Sequence, residues 1–289
     1  MTKARNPEKT SDASLSTHNG FSLISNEKLL EIYSTMLKCR MLEERIHALR
    51  HGKSAANSAG TNVHIAAIAG AAIDLVAGDT IAPSQGALTP CFAKGMPLSS
   101  VFGIAHGSAV RPRYSAINVI PPSFSSGKQL KRALAAAAVC KAKRNKRVAV
   151  VFLNDASGAA GELDSAMALA GKKRLPILFV CETKSQDDGR LERAKQYSVP
   201  AVAVEDDDAV AVYRVATEAL AHARRGSGPT LIECRPWPFG ERGRSKRLPA
   251  MHPIGKMESY LASKGLFRKQ FKSKLVAAFK RELDAAIEA

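Results

Sequence analysis

Apolar positions along this chain change period several times, and each change marks an element. Between residues 29 and 49 they recur every three or four positions (Leu29, Ile32, Tyr33, Met36, Leu42, Ile46), which predicts a long amphipathic helix. Ser25 or Asn26 caps its start and Gly52 stops it. Residues 63–76 are apolar and alanine-rich, the pattern of a helix packed closely against its neighbours. A short strand at 80–83, helices at 87–94 and 96–104, and a helix from Gln129 to about Arg144 follow. The stretch 107–127, rich in Ser, Pro and Gly, reads as a long surface loop.

The clearest unit comes next. Val148 to Leu153 is a short β-branched run, and Leu163, Ala166, Met167 and Ala170 share one helix face. Ile177 to Cys181 is a second apolar run, ended by the polar cluster Glu182 to Asp188. Strand, helix and strand make a βαβ unit, and uninterrupted apolar strands predict a parallel sheet covered on both sides. A short helix at 190–196, a strand at 201–204 and a helix at 209–225, capped by the acidic turn 205–208, continue the alternation. A strand at 230–234 and a helical stretch at 255–289 complete it. The order specifies an α/β fold: a doubly wound, mainly parallel sheet with helices on both faces, extended by helices at each end. Residues 1–22 are poor in apolar side chains and are expected to form a disordered tail, leaving 23–289 as a single domain.

Composition changes this picture in two places. No apolar run approaches the roughly 20 residues needed to span a bilayer, and the N-terminus has no apolar core like that of a secretory signal. Five scattered cysteines, without a CxxC pair or a Cys/His metal cluster, fit reduced buried thiols in a cytoplasmic protein. The formal charge of +17 is the unusual number. Its clusters, among them KAKRNKR at 141–147 and RGRSKR at 242–247, carry no interleaved aromatic residues. They read as a solvated surface or a dock for an acidic partner subunit, rather than as a nucleic-acid site.

Candidate chemistry gathers after the strand Val148–Leu153, because the carboxyl ends of parallel strands are where α/β folds hold ligands. Asp155, Ser157, Gly158 and Gly161 lie there. An acid such as Asp155 at a strand end ordinarily caps the next helix. Gly158-Ala159-Ala160-Gly161 lacks the Lys-Ser/Thr of a phosphate loop. His64, within an Ala/Ile segment, reads as a satisfied core histidine, and neither Ser157 nor Ser185 has an identifiable base.

Several longer phrases carry a resemblance. They are LLEIYSTMLKCRMLEERI at 29–46, GDTIAPS at 78–84 and AKGMPLSSVFG at 93–103. LPILFVCE at 175–182, DDDAVAVYRVATEALAHARRGSGPTLIE at 206–233 and HPIGKMESYLASKGL at 252–266 continue them. In this order the chain resembles the alpha subunit of the thiamine-diphosphate-dependent E1 component of 2-oxo acid dehydrogenases, of the pyruvate and branched-chain type. The resemblance implies the thiamine-diphosphate-binding fold and oxidative decarboxylation of a 2-oxo acid. It also implies an oligomer, formed with an E1 beta-type subunit that supplies the other half of the site or with further copies of itself. The cofactors it implies are thiamine diphosphate and Mg²⁺, held in the family by Gly-Asp-Gly after the central strand and by an Asn roughly thirty residues later. Glycines let backbone N–H groups approach the diphosphate, and Asp and Asn oxygens complete an octahedral Mg²⁺ site. On that pattern the cofactor-binding positions here are Asp155, Gly158, Lys184 and Gln186, with Asp155 as the metal position.

The residues at those positions depart from the pattern. Gly-Asp-Gly becomes Asn154-Asp155-Ala156, and Lys184, 29 positions after Asp155, replaces the Asn. Gln186 stands where the family has Tyr, and Gln85, Gly86 and Leu88 stand where it has Tyr, Arg and His. Val63-His64-Ile65-Ala66 replaces Gly-Gln-Glu-Ala, Ser125-Ser126-Gly127 the Gly-Ile-Val-Gly loop, and Gly240-Glu241-Arg242 the His-Gly-His. An ammonium repels a cation, so Lys184 is expected to pair with Asp155 in the metal's stead. Two readings stand: an E1 alpha-type subunit with a largely dismantled cofactor site, or a non-catalytic paralogue kept as a structural or regulatory assembly partner.

Overall fold

Strands β1 (Thr80–Ala82), β2 (Ala149–Asn154), β3 (Ile177–Glu182), β4 (Ala201–Glu205) and β5 (Thr230–Arg235) all run parallel, in the spatial order β1-β2-β3-β5-β4. The computed structural model describes residues 24–51, 64–84, 87–107, 114–123, 125–154, 160–183, 189–235 and 252–288. Successive strand residues point to opposite faces, so the unbroken apolar runs of β2 and β3 bury both sides. Phe152, Val180 and Ile232 pack on one face against α1 (Asn26–His51), α2 (Ile65–Ala72) and α8 (Ala209–Arg224). Val151, Phe179 and Leu231 pack on the other against α5 (Ser126–Lys143), α6 (Ala160–Lys172) and α7 (Arg190–Gln196). The helices change face between α7 and α8, which makes the sheet doubly wound as the sequence indicated. The short helices α3 (Thr89–Ala93) and α4 (Leu98–Ala105), with α9 (Pro253–Ser263) and α10 (Lys269–Glu288), extend the first layer.

Several local expectations are corrected. The helix expected over 63–76 is α2 alone, with His64 at its N-cap, and all eight of its residues are buried. Its small side chains therefore serve this protomer's own core, against α1 and α8. Residues 107–127 are not all surface loop: Val119 bridges Ile81 in parallel, and Val119 and Ile120 are buried. Helix α5 begins at Ser126 rather than Gln129, because the Ser125 hydroxyl caps it by accepting the Lys128 N–H at 3.3 Å. All five cysteines are buried, and none forms a disulfide. The tail at residues 1–22 lies outside the described residues.

The amino edge of the sheet is tied by one side chain. Asp79, fully buried in the turn before β1, accepts the N–H of Val76 at 2.9 Å and of Val148 at 3.1 Å. It also takes both terminal nitrogens of Arg224 from α8, at 3.0 and 2.7 Å. One carboxylate thus joins β1, β2 and the end of α8.

Candidate functional site

Every strand ends at the same edge, where Asn154, Glu182, Glu205 and Arg235 close β2, β3, β4 and β5. Asn154 and Glu182 are partners in register, and Glu182 in turn pairs with Cys234. By strand alternation all three face the layer of α1 and α2, as Phe152, Val180 and Ile232 do one turn of the pleat earlier. Beside this row, His64 Nδ1 lies 3.2 Å from Asp206 Oδ2. The histidine is thus partnered, as expected, though at a helix start rather than within the helix.

The row is electrostatically unusual. Glu182 is 5% exposed, and burial pushes its carboxyl up to about 7; His64 opposes the shift while Asp206 and Glu43 add to it. Burial also pushes Glu43, on α1, up to about 7, against the pull of Arg50 and Arg40. The Cys234 thiol is raised well above its ordinary value, first by burial and then by Glu182. A raised carboxyl pKa makes the folded state hold a proton that the unfolded chain releases, so this contribution is full below about 4.5 and is lost as pH rises through about 7. Glu182→Gln is expected to remove its share of that loss, on the order of 2–3 kcal/mol of stability regained at pH 8. Urea midpoints measured from pH 5 to pH 8 would check this: parallel curves for the variant and the parent would rule the protonated carboxyl out.

The opposite face carries a charged group. Glu233, fully buried on β5, accepts Nε and Nη2 of Arg235 at 3.0 and 2.8 Å, and Arg190 at the start of α7 approaches to 3.8 Å. Near the end of β1, buried Gln129 donates to the Pro83 carbonyl at 3.2 Å. Its Oε1 meets no hydrogen-bond donor among the described residues. The carboxylate of Glu162, in the first turn of α6, packs directly on Gly127 in the first turn of α5, filling the space a Cβ there would need.

The cofactor-binding positions Asp155, Gly158, Lys184 and Gln186 lie outside the described residues, as do Ser157, Ser185, Gln85, Gly86 and residues 240–242. What the structure does give is the neighbouring strand ends, where Asn154 of β2 and Glu182 of β3 are partners in register. Leu88, where a histidine was expected from the family pattern, is buried in the core at the N-cap of α3. Ser125, Ser126 and Gly127 form a helix cap and first turn, not a loop. The polar cluster expected from Glu182 onward begins with two buried residues, Glu182 and Thr183. Sequence reading passed over Glu182, Glu233, Gln129 and Glu162; the first two carried a signal, an acid inside or ending an apolar strand. Among the described residues no group of three or more His, Cys, Asp or Glu could hold a metal ion, and no helix is long and apolar enough to cross a membrane.

Comparison with known proteins gives one consistent answer. Residues 33–240 match the family described as dehydrogenase E1 component. The alpha subunit of acetoin:2,6-dichlorophenolindophenol oxidoreductase of Bacillus subtilis (strain 168) is 30% identical over 242 residues, 74% of this chain and 71% of that protein. The alpha subunit of the pyruvate dehydrogenase E1 component of Staphylococcus epidermidis (strain RP62A) is 22% identical over 290 residues, 92% of this chain and 78% of its own. That of Staphylococcus aureus (strain COL) has the same identity and coverage.

Proposed function

The chain belongs to the dehydrogenase E1 component family, and from that premise we propose that it is an alpha-type E1 subunit, partnered by a beta-type subunit, whose own half of the site does not hold Mg²⁺ and thiamine diphosphate. The family and the alpha-subunit relatives support the first half. The observation that supports the second is the row Asn154–Glu182–Cys234 at the carboxyl edge. Mg²⁺ seeks ionised or carbonyl oxygens at short range. Here the row offers one amide, one buried carboxyl and one buried thiol, and a thiol does not suit Mg²⁺. Lys184 adds a cation where the pattern has an oxygen ligand, and an Asp155–Lys184 ion pair takes the metal's electrostatic place. The residues present do not fit the cofactor, and the chain acts as a structural or regulatory assembly partner.

Isothermal calorimetry of the full chain with thiamine diphosphate and Mg²⁺, alone and with a beta-type subunit, tests this. No binding at micromolar cofactor is expected, together with a stable complex of the two subunits. Lys184→Asn with Ala156→Gly is expected to recover measurable affinity. Tight cofactor binding by the unaltered chain, or cofactor-dependent turnover of a 2-oxo acid by the pair, would overturn the proposal. One observation favours the catalytic alternative: the buried Gln129 Oε1 at the end of β1 is an acceptor that a bound ligand's N–H would satisfy.

A further inference from the structure

The edge opposite this site is basic. Helices α5, α6 and α8 all end there, and their C-termini carry Lys143, Arg144, Lys172, Lys173, Arg174 and Arg225. Part of this charge serves the fold. Lys141 donates to the Lys173 carbonyl at 2.5 Å, Lys94 to the Val76 carbonyl at 3.0 Å, and Arg224 is held by Asp79; cations at helix ends also offset the helix dipoles. At the same edge, Lys146, Arg147 and Arg224 line a groove of about 560 Å³. Its floor is Val76, Leu220 and Ala221, and its cationic wall is Lys146 and Arg147. Among the described residues neither lysine nor arginine of that wall has a carboxylate within ion-pair range. Asp74, on the far side, is taken by Lys28 at 2.9 Å and by the Tyr213 hydroxyl at 2.8 Å.

The wall is held in place. Arg224 reaches the Lys146 carbonyl at 3.5 Å, and the Asn145 side chain accepts the Arg147 N–H at 3.1 Å. Arg144 and Lys146 sit at φ of +50° and +55°, a left-handed backbone that lysine and arginine rarely adopt. An uncommon conformation thus presents two cations beside an apolar floor in which Val76 is exposed, Ala221 half-buried and Leu220 buried.

We propose that this groove docks an acidic protein segment carrying one aliphatic or aromatic side chain. The acidic groups meet Lys146, Arg147 and their basic surround, while the apolar side chain fills the floor of Val76, Leu220 and Ala221. Interfaces place most of their affinity in such a desolvated apolar anchor inside a polar rim. A nucleic-acid backbone would use the cations and leave the floor empty. Among the described residues no aromatic side chain lines the groove for a base to stack on.

The test is fluorescence anisotropy with the full chain and three labelled probes: an Asp/Glu-rich peptide with a central Leu, the same peptide with Ser in its place, and a DNA duplex. The Leu peptide is expected to bind at low salt, more tightly than the Ser peptide and the duplex. Lys146→Glu with Arg147→Glu is expected to weaken it by on the order of tenfold or more, and Lys131→Glu with Arg132→Glu, a charge-matched change near the start of α5, to leave it unchanged. Lys146→Glu alone, on an exposed side chain, serves if the double variant melts early. Absence of binding, equal binding of the Leu and Ser peptides, equal loss in the control variant, or preference for the duplex would each overturn the proposal.

Discussion

Asp79→Ala is expected to cost about 3–5 kcal/mol of folding stability, the usual cost of breaking a buried pair on one side only. The variant leaves the Arg224 guanidinium without its bidentate partner and strips the N–H groups of Val76 and Val148 of their acceptor. Each buried donor left unsatisfied adds about 1–3 kcal/mol of desolvation. Asp79→Asn keeps an acceptor and loses the charge, so an intermediate loss is expected. Urea denaturation followed by circular dichroism reads both. If the alanine variant unfolds within about 1 kcal/mol of the parent, water reaches the turn before β1 and the tie is not what joins the amino edge.

Gly70→Ala is expected to destabilise by about 1–3 kcal/mol, although alanine favours a helix interior by about 1 kcal/mol. A Cβ at Gly70 would lie 2.8 Å from Val212 Cγ1 and 2.9 Å from the Tyr213 nitrogen, so α2 and α8 must move apart. That movement separates the segments carrying His64 and Asp206, and it opens the core beneath the carboxyl edge. Gly161→Ala is the control. A Cβ at Gly161, in the first turn of α6, meets nothing within 4 Å, and the change is expected to be neutral or slightly stabilising. Thermal melts of the two variants compare them directly, and similar melting temperatures would mean that the α2–α8 approach is soft.

Some of this architecture was legible in the chain because local pattern and long-range packing agreed. The apolar runs of β2 and β3 could only be strands buried on two sides, and Asp208 announced α8 by capping it, accepting the N–H of Val210 and of Ala211. Other features were hidden for physical reasons. The start of α5 was read three residues late because Ser125, Ser126 and Gly127 are loop formers by composition, and only the hydroxyl cap makes them a helix start. Val119 and Ile120 looked like loop because a two-residue apolar patch acquires meaning only when Ile81 lies beside it. The candidate site was the least legible part. Glu182 and Glu233 carry one linear signal, an acid inside or ending an apolar strand, but their burial depends on elements far away in sequence. The same holds for Asp79 and Arg224, which sit 145 positions apart.

The parallel sheet also gives the protein two unlike ends. Acidic side chains are sunk into one edge, while lysines and arginines, several without a carboxylate partner among the described residues, crowd the other. Such a charge separation acts before any contact is made: it turns the molecule as it diffuses toward a charged surface, so that the basic end arrives first. A partner caught at that end leaves the carboxyl ends of all five strands facing outward. Encounter with an acidic surface should therefore slow steeply with added salt, while the unfolding rate stays nearly constant.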